Sequence, residues 1–333
     1  MKLKITSLVL NLLVVLLLAG CSQQQEQTPP THQQSSEQSD WYREVETSHG
    51  KLILTAQPKR IVSTSVTITG TLLAIDAPVI GTGGAHPNTE VSDENGFFRQ
   101  WADVAKQRKV KSLYQGQVDV EAVASLVPDL IIVSATSGDS ALHLHEQLSA
   151  IAPVMVVNYD DKSWIELAQF LGAALGREKQ AEFISRQFEQ RITRVKSMIS
   201  LPPQPSTAMV YISSDIGANV WTEYSAHGKL LNALGFKLAS VPHGIAANKL
   251  DDSRKDIIQL NADENFASAI TGASILLFSA DEKKVKQIKS DKFLALLPAI
   301  SKAQVYALGL DSFRLDYYSA NNLLDLMKTK FSG

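Results

Sequence analysis

The sequence predicts an α/β protein of two lobes joined by a long rigid helix, and three observations carry that expectation. Short β-branched runs alternate with helical patterns along the whole body. A central stretch with a helical period interrupts the alternation and ends on a proline-rich stop. A helix-to-strand unit also recurs, "EAVASLVPDLIIVSA" from Glu121 and "ENFASAITGASILLFSA" from Glu264. Each copy has a Glu, an Ala-Ser pair, an apolar strand and then Ser-Ala, which suggests a duplicated lobe.

The chain opens with Lys2 and Lys4 before an apolar run from Leu8 to Leu18, too short for a comfortable membrane span. Leu18-Ala19-Gly20-Cys21 and a polar tail follow. Small residues, a cysteine and a polar tail coincide as in the lipobox of bacterial lipoproteins. Residues 1–20 are therefore expected to be a signal peptide and Cys21 to carry the lipid anchor, the ordinary alternative being a buried free thiol. From Ser22 to Asp40 the chain is Gln, Ser, Thr, Pro and Glu without a large apolar side chain, so residues 21–40 are expected to be a disordered tether.

The body then begins near Trp41. Loss of Lys2 and Lys4 would leave it still more acidic than the whole chain's formal charge of −2, so no basic field points to nucleic acid. With the sole cysteine assigned to lipid, neither a disulfide nor a cysteine metal site is available. The remaining length of about 290 residues exceeds what one small core organises.

Expected strands in the first lobe, 41–160, are Arg60-Ile61-Val62-Ser63, Leu130-Ile131-Ile132-Val133 and Val154-Met155-Val156-Val157. In the connecting segment, 161–204, Ser163 and Glu166 form an S-x-x-E capping box, and Gly172 and Gly176 mark the weakening and end of that helix. Ala181, Ile184, Phe188, Ile192, Val195 and Ile199 then recur at steps of three and four. A helix from Glu178 to Ile199 is about 30 Å long at 1.5 Å per residue, enough to cross a domain. Leu201-Pro202-Pro203-Gln204-Pro205 stops it. The second lobe, 205–333, is expected to use Ala208–Ile212, Ile275–Phe278 and Gln304–Leu308 as strands.

A search for catalytic chemistry is mostly negative. Gly81-Thr82-Gly83-Gly84 lacks both a P-loop lysine and dinucleotide spacing, and reads as a flexible loop. No G-x-S-x-G occurs. His143 and His145, two apart on an apparent helix, face different ways, so side-chain metal ligation is not expected. What remains is a set of arginines and aromatics beside expected strand ends: Arg99 after Phe97-Phe98, Trp221, Arg254, and Phe313-Arg314. Ligands of open α/β sheets gather at strand ends, and arginine beside a flat ring suits a planar anion.

From Trp41 to Phe331 the chain resembles the periplasmic binding proteins for iron-siderophore uptake, and closely resembles the catecholate-handling members. The resemblance is carried by "RIVSTSVTITGTLLAIDAPVI", "FFRQWADVAKQRKV", "VNYDDKSW", "LPPQP" and "FRLDYYSA". It implies a helical-backbone binding fold with a shallow cleft, a ferric catecholate ligand, and delivery to an ABC permease in the inner membrane. Iron in such a trianionic chelate is already saturated by six catecholate oxygens. The protein should then need no cofactor and supply charge and rings: Arg99, Arg254 and Arg314, with Trp221 and Phe313. The family also implies that one exposed glutamate per lobe, here Glu121 and Glu264, meets arginines of the permease. The expected molecule is a monomeric, exported, lipid-anchored periplasmic protein without enzymatic activity.

One departure concerns the ligand. The catecholate-handling members run Asn-Asn-Arg-Val where this chain has Asn88-Thr89-Glu90-Val91. Alternatives of the same fold are another iron chelate, haem or cobalamin; a rival of another class, a siderophore esterase, lacks an activated serine.

Overall fold

The computed structural model describes residues 41–243, 245 and 255–332. The expected signal peptide and tether, with Cys21 as the lipid carrier, and Arg254, expected at the ligand, lie outside the described residues.

A hairpin comes first, β1 (Arg43–Thr47) and β2 (Gly50–Leu54), and Ser48 N–H ties it to Val156. The N-terminal sheet follows: β3 (Ile61–Ser63), β4 (Val79–Gly84), β5 (Lys111–Gln115), β6 (Leu130–Ser134) and β7 (Val154–Val157), all parallel, in the order β5-β4-β3-β6-β7. The second sheet holds β8 (Ser206–Ser213), β9 (Gly217–Trp221), β10 (Ile257–Asn261), β11 (Ser274–Leu277) and β12 (Val305–Ala307), in the order β10-β9-β8-β11-β12.

The recurring sequence unit occupies the same place in both sheets. It ends in β6 or β11, which lies beside the first strand of its sheet and is followed by an outer parallel strand. The likeness stops at the other half. There β9 runs antiparallel to both β8 and β10, where the five-stranded sheet of the first lobe has only parallel strands.

Gly81-Thr82-Gly83-Gly84 is not a flexible loop, as its composition suggested, but the interior strand β4. The glycines are there for packing. A Cβ on Gly83 would lie 2.6 Å from the Tyr114 ring, so the ring lies directly on the strand backbone.

Alternation along the strands produces three apolar layers. Leu130, Ile132 and Met155 face one cluster, which continues through Ile184 and Phe188 to Ala208 and Leu276 of the second lobe. Their neighbours Ile131, Val133 and Val154 face an outer layer, and Met209, Ile275 and Leu277 face another. Period-two burial on both faces is the pattern of covered sheets. The shared middle layer makes the two lobes one packed body.

The connection is a pair of helices. Trp164–Leu175 carries the expected capping box of Ser163 and Glu166 and ends on Gly176 at φ 67°. Glu178–Lys196 is the expected strut, three residues shorter than the periodicity suggested, with Ile199 bridging to Ser332. Gly172 marks the crossing: a Cβ there would come 2.7 Å from that of Ala181. Trp164 packs edge-on against Phe188 at 4.8 Å and against Tyr317 at 5.6 Å.

The final helix, Tyr317–Phe331, packs on Val66–Ala74 and on the strut, while its Phe331 meets Phe236 and Tyr306 of the second lobe. Leu323, Leu324, Met327 and Phe331 need an apolar partner, and the shared middle layer supplies it. Asp316 starts this helix, its Oδ1 accepting the N–H groups of Tyr318 and Ser319 at 2.8 and 3.0 Å. Its Oδ2 accepts from Gln100 at 3.3 Å, and rests where a Cβ on Gly70 would be only 2.3 Å away.

Burial raises the Asp316 carboxyl from about 3.8 to about 6, with the three hydrogen bonds pulling the other way. A carboxyl with a raised folded-state value binds its proton more tightly folded than unfolded, so stability should fall as pH rises from about 4 to about 6. At about 1.4 kcal/mol per unit, the effect is at most about 3 kcal/mol. Asp316→Asn should flatten this part of the curve, measured as thermal unfolding at pH 4, 5, 6 and 7; a slope equal to wild type would contradict the assignment. Phe188→Ala should cost about 3–5 kcal/mol in urea unfolding, because it opens a cavity in the layer that both lobes share.

Candidate functional site

Arg314 sits where the lobes meet. It follows β12 through the turn Leu310–Phe313 and precedes the Asp316 cap, so both neighbours in sequence fix its backbone. Its guanidinium carbon lies 4.8 Å from the Phe313 ring centre and 5.6 Å from that of Tyr159, which belongs to the opposite lobe. Cation–π contact of this kind holds a guanidinium without consuming its N–H donors.

Tyr159 follows β7 and is nearly buried. Its hydroxyl donates to Asp139 Oδ1 at 2.9 Å, and burial pushes it up to about 12, with Arg314 opposing. The other oxygen of Asp139 accepts from Ser65 Oγ at 2.6 Å and from Thr67 N–H at 3.2 Å, at the start of the helix Val66–Ala74. Arg314, Tyr159 and Asp139 thus form a row that crosses from one lobe to the other.

Trp221 ends β9 and lines the same small space as Arg314 and Tyr159, as the sequence expected, but only 2% of it is exposed. It stacks flat on His227 at 4.1 Å and meets Phe313 edge-on at 6.3 Å. His227 Nε2 donates to the Ser312 carbonyl at 2.8 Å. Burial, with Arg314 nearby, lowers His227 to about 3, so this stack is neutral. The Trp221 ring is a brace beneath Phe313 and Arg314 more than an open platform.

Three spaces adjoin this row. The one that Arg314, Trp221 and Tyr159 share is about 50 Å³. Beside it, through the common walls Asp160 and Asp256, lies one of about 240 Å³ lined by Tyr224, Lys229 and Lys255. On the N-terminal lobe a cavity of about 610 Å³ reaches Asp139. Lys229 also bonds Glu166 at 2.8 Å and the Asp161 carbonyl at 3.2 Å, bridging the second lobe to the connecting segment.

The structure does not bring every expected residue together. Phe313 and Arg314 also line a small apolar recess with Phe98 and Gln100. Arg99 lines neither of Arg314's spaces; it is exposed, and its Nε and Nη2 donate to the Thr89 carbonyl at 3.3 and 2.9 Å. Its guanidinium shapes the Asn88–Val91 turn instead. Glu90 in that turn is exposed and lines none of these spaces.

Sequence reasoning missed Tyr159, Asp139, Tyr224, Lys229 and Lys255. Tyr159 could have been found, because it follows an evident strand. Lys229 lies on the helix Ala226–Leu234 and carries no local signal. Among the described residues no group of three or more His, Cys, Asp or Glu converges as a metal site.

Glu121 and Glu264 are both exposed, and neither forms an ion pair among the described residues. Glu121 is in the first turn of Val120–Ser125, just past the carboxyl end of the edge strand β5. Glu264 lies in the turn just past the carboxyl end of the edge strand β10.

Comparison with known proteins places this geometry in a family. The chain is 51% identical over 295 residues to the ferric enterobactin-binding periplasmic protein FepB of Escherichia coli, covering 89% of this chain and 92% of that one. It is 24% identical to the Fe(3+) dicitrate-binding periplasmic protein FecB of Escherichia coli, over 78% of this chain and 80% of that one. Among solved structures, holo-ViuP aligns with a TM-score of 0.81 at 35% identity, covering 88% of this chain and 96% of that one. Staphylococcus aureus SirA complexed with staphyloferrin B shares the fold, with a TM-score of 0.64 at 20% identity, covering 87% and 99%. Residues 61–311 match the periplasmic binding protein family, and the chain belongs to it.

Proposed function

We propose that the protein captures a ferric catecholate siderophore in the cleft between its lobes and delivers it to an ABC permease for iron uptake. The observation that carries this reading is Arg314 held between the Phe313 and Tyr159 rings at the lobe junction. Support comes from the relative at 51% identity, whose name gives ferric enterobactin as its ligand. A chelate that brings all its own metal donors needs positive charge and ring surface from its host, and this junction offers both. Lys229 and Lys255 line the adjoining space together with Asp160, Asp161 and Asp256, so the positive charge of the site rests on Arg314. The protein performs no reaction on its cargo and uses no cofactor of its own.

The finer points of the proposal concern location and partners. Cys21 carries lipid that holds the protein, as a monomer, to a membrane facing the periplasm, and the tether lets the body reach the permease. Glu121 and Glu264, one on each lobe and each beyond an edge strand, dock against cationic groups of the permease. A rigid body presenting two like charges at a fixed spacing orients itself before contact and associates faster.

Quenching of intrinsic fluorescence by ferric enterobactin tests the ligand. Arg314→Ala should weaken binding about 10- to 100-fold, since a hydrogen bond to a charged group contributes roughly 1.5–3 kcal/mol; equal affinities would remove Arg314 from the site. Reversal of both docking charges, Glu121→Arg with Glu264→Arg, should leave that affinity unchanged and lower permease-dependent uptake of radioactive iron at least tenfold. Unchanged uptake would exclude these glutamates from docking.

A further inference from the structure

We propose that Ile216 is the apolar anchor of the docking face, seating in an apolar recess of the permease that is bordered by arginine or lysine. This deepens the reading of Glu121 and Glu264 as docking charges and rests on it. Scattered exposed apolar side chains are ordinary on a folded surface. Ile216 is set apart by where it is held and how firmly.

Ile216 is 54% exposed at the tip of the hairpin between β8 and β9. Gly217, next to it, pairs with Asn261 at the end of the edge strand β10, and Glu264 stands three residues beyond Asn261. The Ile216 carbonyl accepts the Ala262 N–H at 3.3 Å, which ties the tip to the loop that carries Glu264. Ile216 lines none of the spaces beside Arg314 or Asp139, so the cleft makes no use of it.

The tip is stiff. The N–H groups of Asp215 and Ile216 both donate to Ser213 Oγ, at 3.3 and 3.2 Å. Gly217 has φ 110°, and a Cβ there would lie 2.0 Å from the Leu260 carbonyl oxygen, so the turn rests directly on the backbone of β10. An apolar side chain on such a turn gains by being covered and has little backbone freedom left to lose.

Its surroundings describe the partner. Asp215, Asp263 and Glu264 are exposed, and none forms an ion pair among the described residues. An apolar point within a carboxylate rim matches an apolar recess within a cationic one, the arrangement of interface hot spots. The first lobe has no equivalent: ahead of Glu121, Val118 and Val120 are half-buried against the outer apolar layer, and the five-stranded sheet is wholly parallel. The contact therefore distinguishes the two lobes, which the two glutamates alone do not.

Rim charges govern how fast two surfaces meet, whereas a covered apolar contact governs how long they stay together. The test follows the mature protein, loaded with ferric enterobactin, binding to the permease in lipid nanodiscs by surface plasmon resonance. Ile216→Ser should raise the dissociation rate about tenfold or more and leave the association rate and its salt dependence within about twofold. Its affinity for ferric enterobactin and its melting temperature should match wild type, and Ile216→Leu should restore the dissociation rate to within about threefold. Ile216→Thr serves if the serine variant does not fold. Leu296→Ser, at a leucine 89% exposed just before the helix Pro298–Ser301, is the control and should change nothing. A dissociation rate unmoved by Ile216→Ser, or raised equally by Leu296→Ser, overturns the proposal; the docking reading still stands if Glu121→Arg with Glu264→Arg slows association. No slowing by that charge reversal, or no binding of the wild type, overturns both.

Discussion

The buried Asp316 carboxylate is the constraint on which the rest of the arrangement depends. It caps the final helix, takes a hydrogen bond from Gln100, and rests against a helix of the N-terminal lobe at a glycine. No larger residue at position 70 could accept that approach. The contact fixes where the final helix enters the junction between the lobes. Arg314, two residues earlier, is fixed with it, and so is the distance from its guanidinium to Tyr159. A charged side chain in a polar cleft would otherwise have many positions available, and an ordered one loses less freedom on binding.

Around Arg314 the protein uses rings to keep opposite charges apart. Tyr159 stands between the guanidinium and Asp139, and Phe313 covers the other face. Behind them the Trp221–His227 stack is neutral because burial keeps His227 from taking up a proton at ordinary pH. A charged imidazole at that point would repel Arg314. The result is a guanidinium held over one ring face, in a space it shares with Asp160 and Asp256, and a carboxylate bound at the hydroxyl of the same ring.

The same packing limits motion. A single apolar layer runs from the first sheet through the helical pair into the second sheet, and the final helix closes over it. Opening the cleft by a hinge would separate buried side chains such as Trp164, Phe188 and Tyr317. Each such side chain contributes roughly 1.5–3 kcal/mol through burial, so wide opening is disfavoured. Glu121 and Glu264, one on each lobe, therefore keep a nearly constant separation.

The chain by itself determined the α/β class, the six most apolar strands, the capped helix at Ser163 and the strut, because each is a local pattern of period, cap or turn. The duplicated unit was legible for the same reason, and its two copies fall at equivalent places in the two sheets. Arg314 and Phe313 were legible as a cationic and aromatic pair beside a strand end. Tertiary structure alone decided the rest. The Gly81–Gly84 run became a strand because the Tyr114 ring covers it, a contact between residues about thirty apart. Arg99 turned to the Thr89 carbonyl, and the final helix came to pack on elements of both lobes. Asp139, Tyr159 and Lys229 came to the cleft from separate segments. Such choices depend on which groups meet across long separations, and no local pattern encodes that.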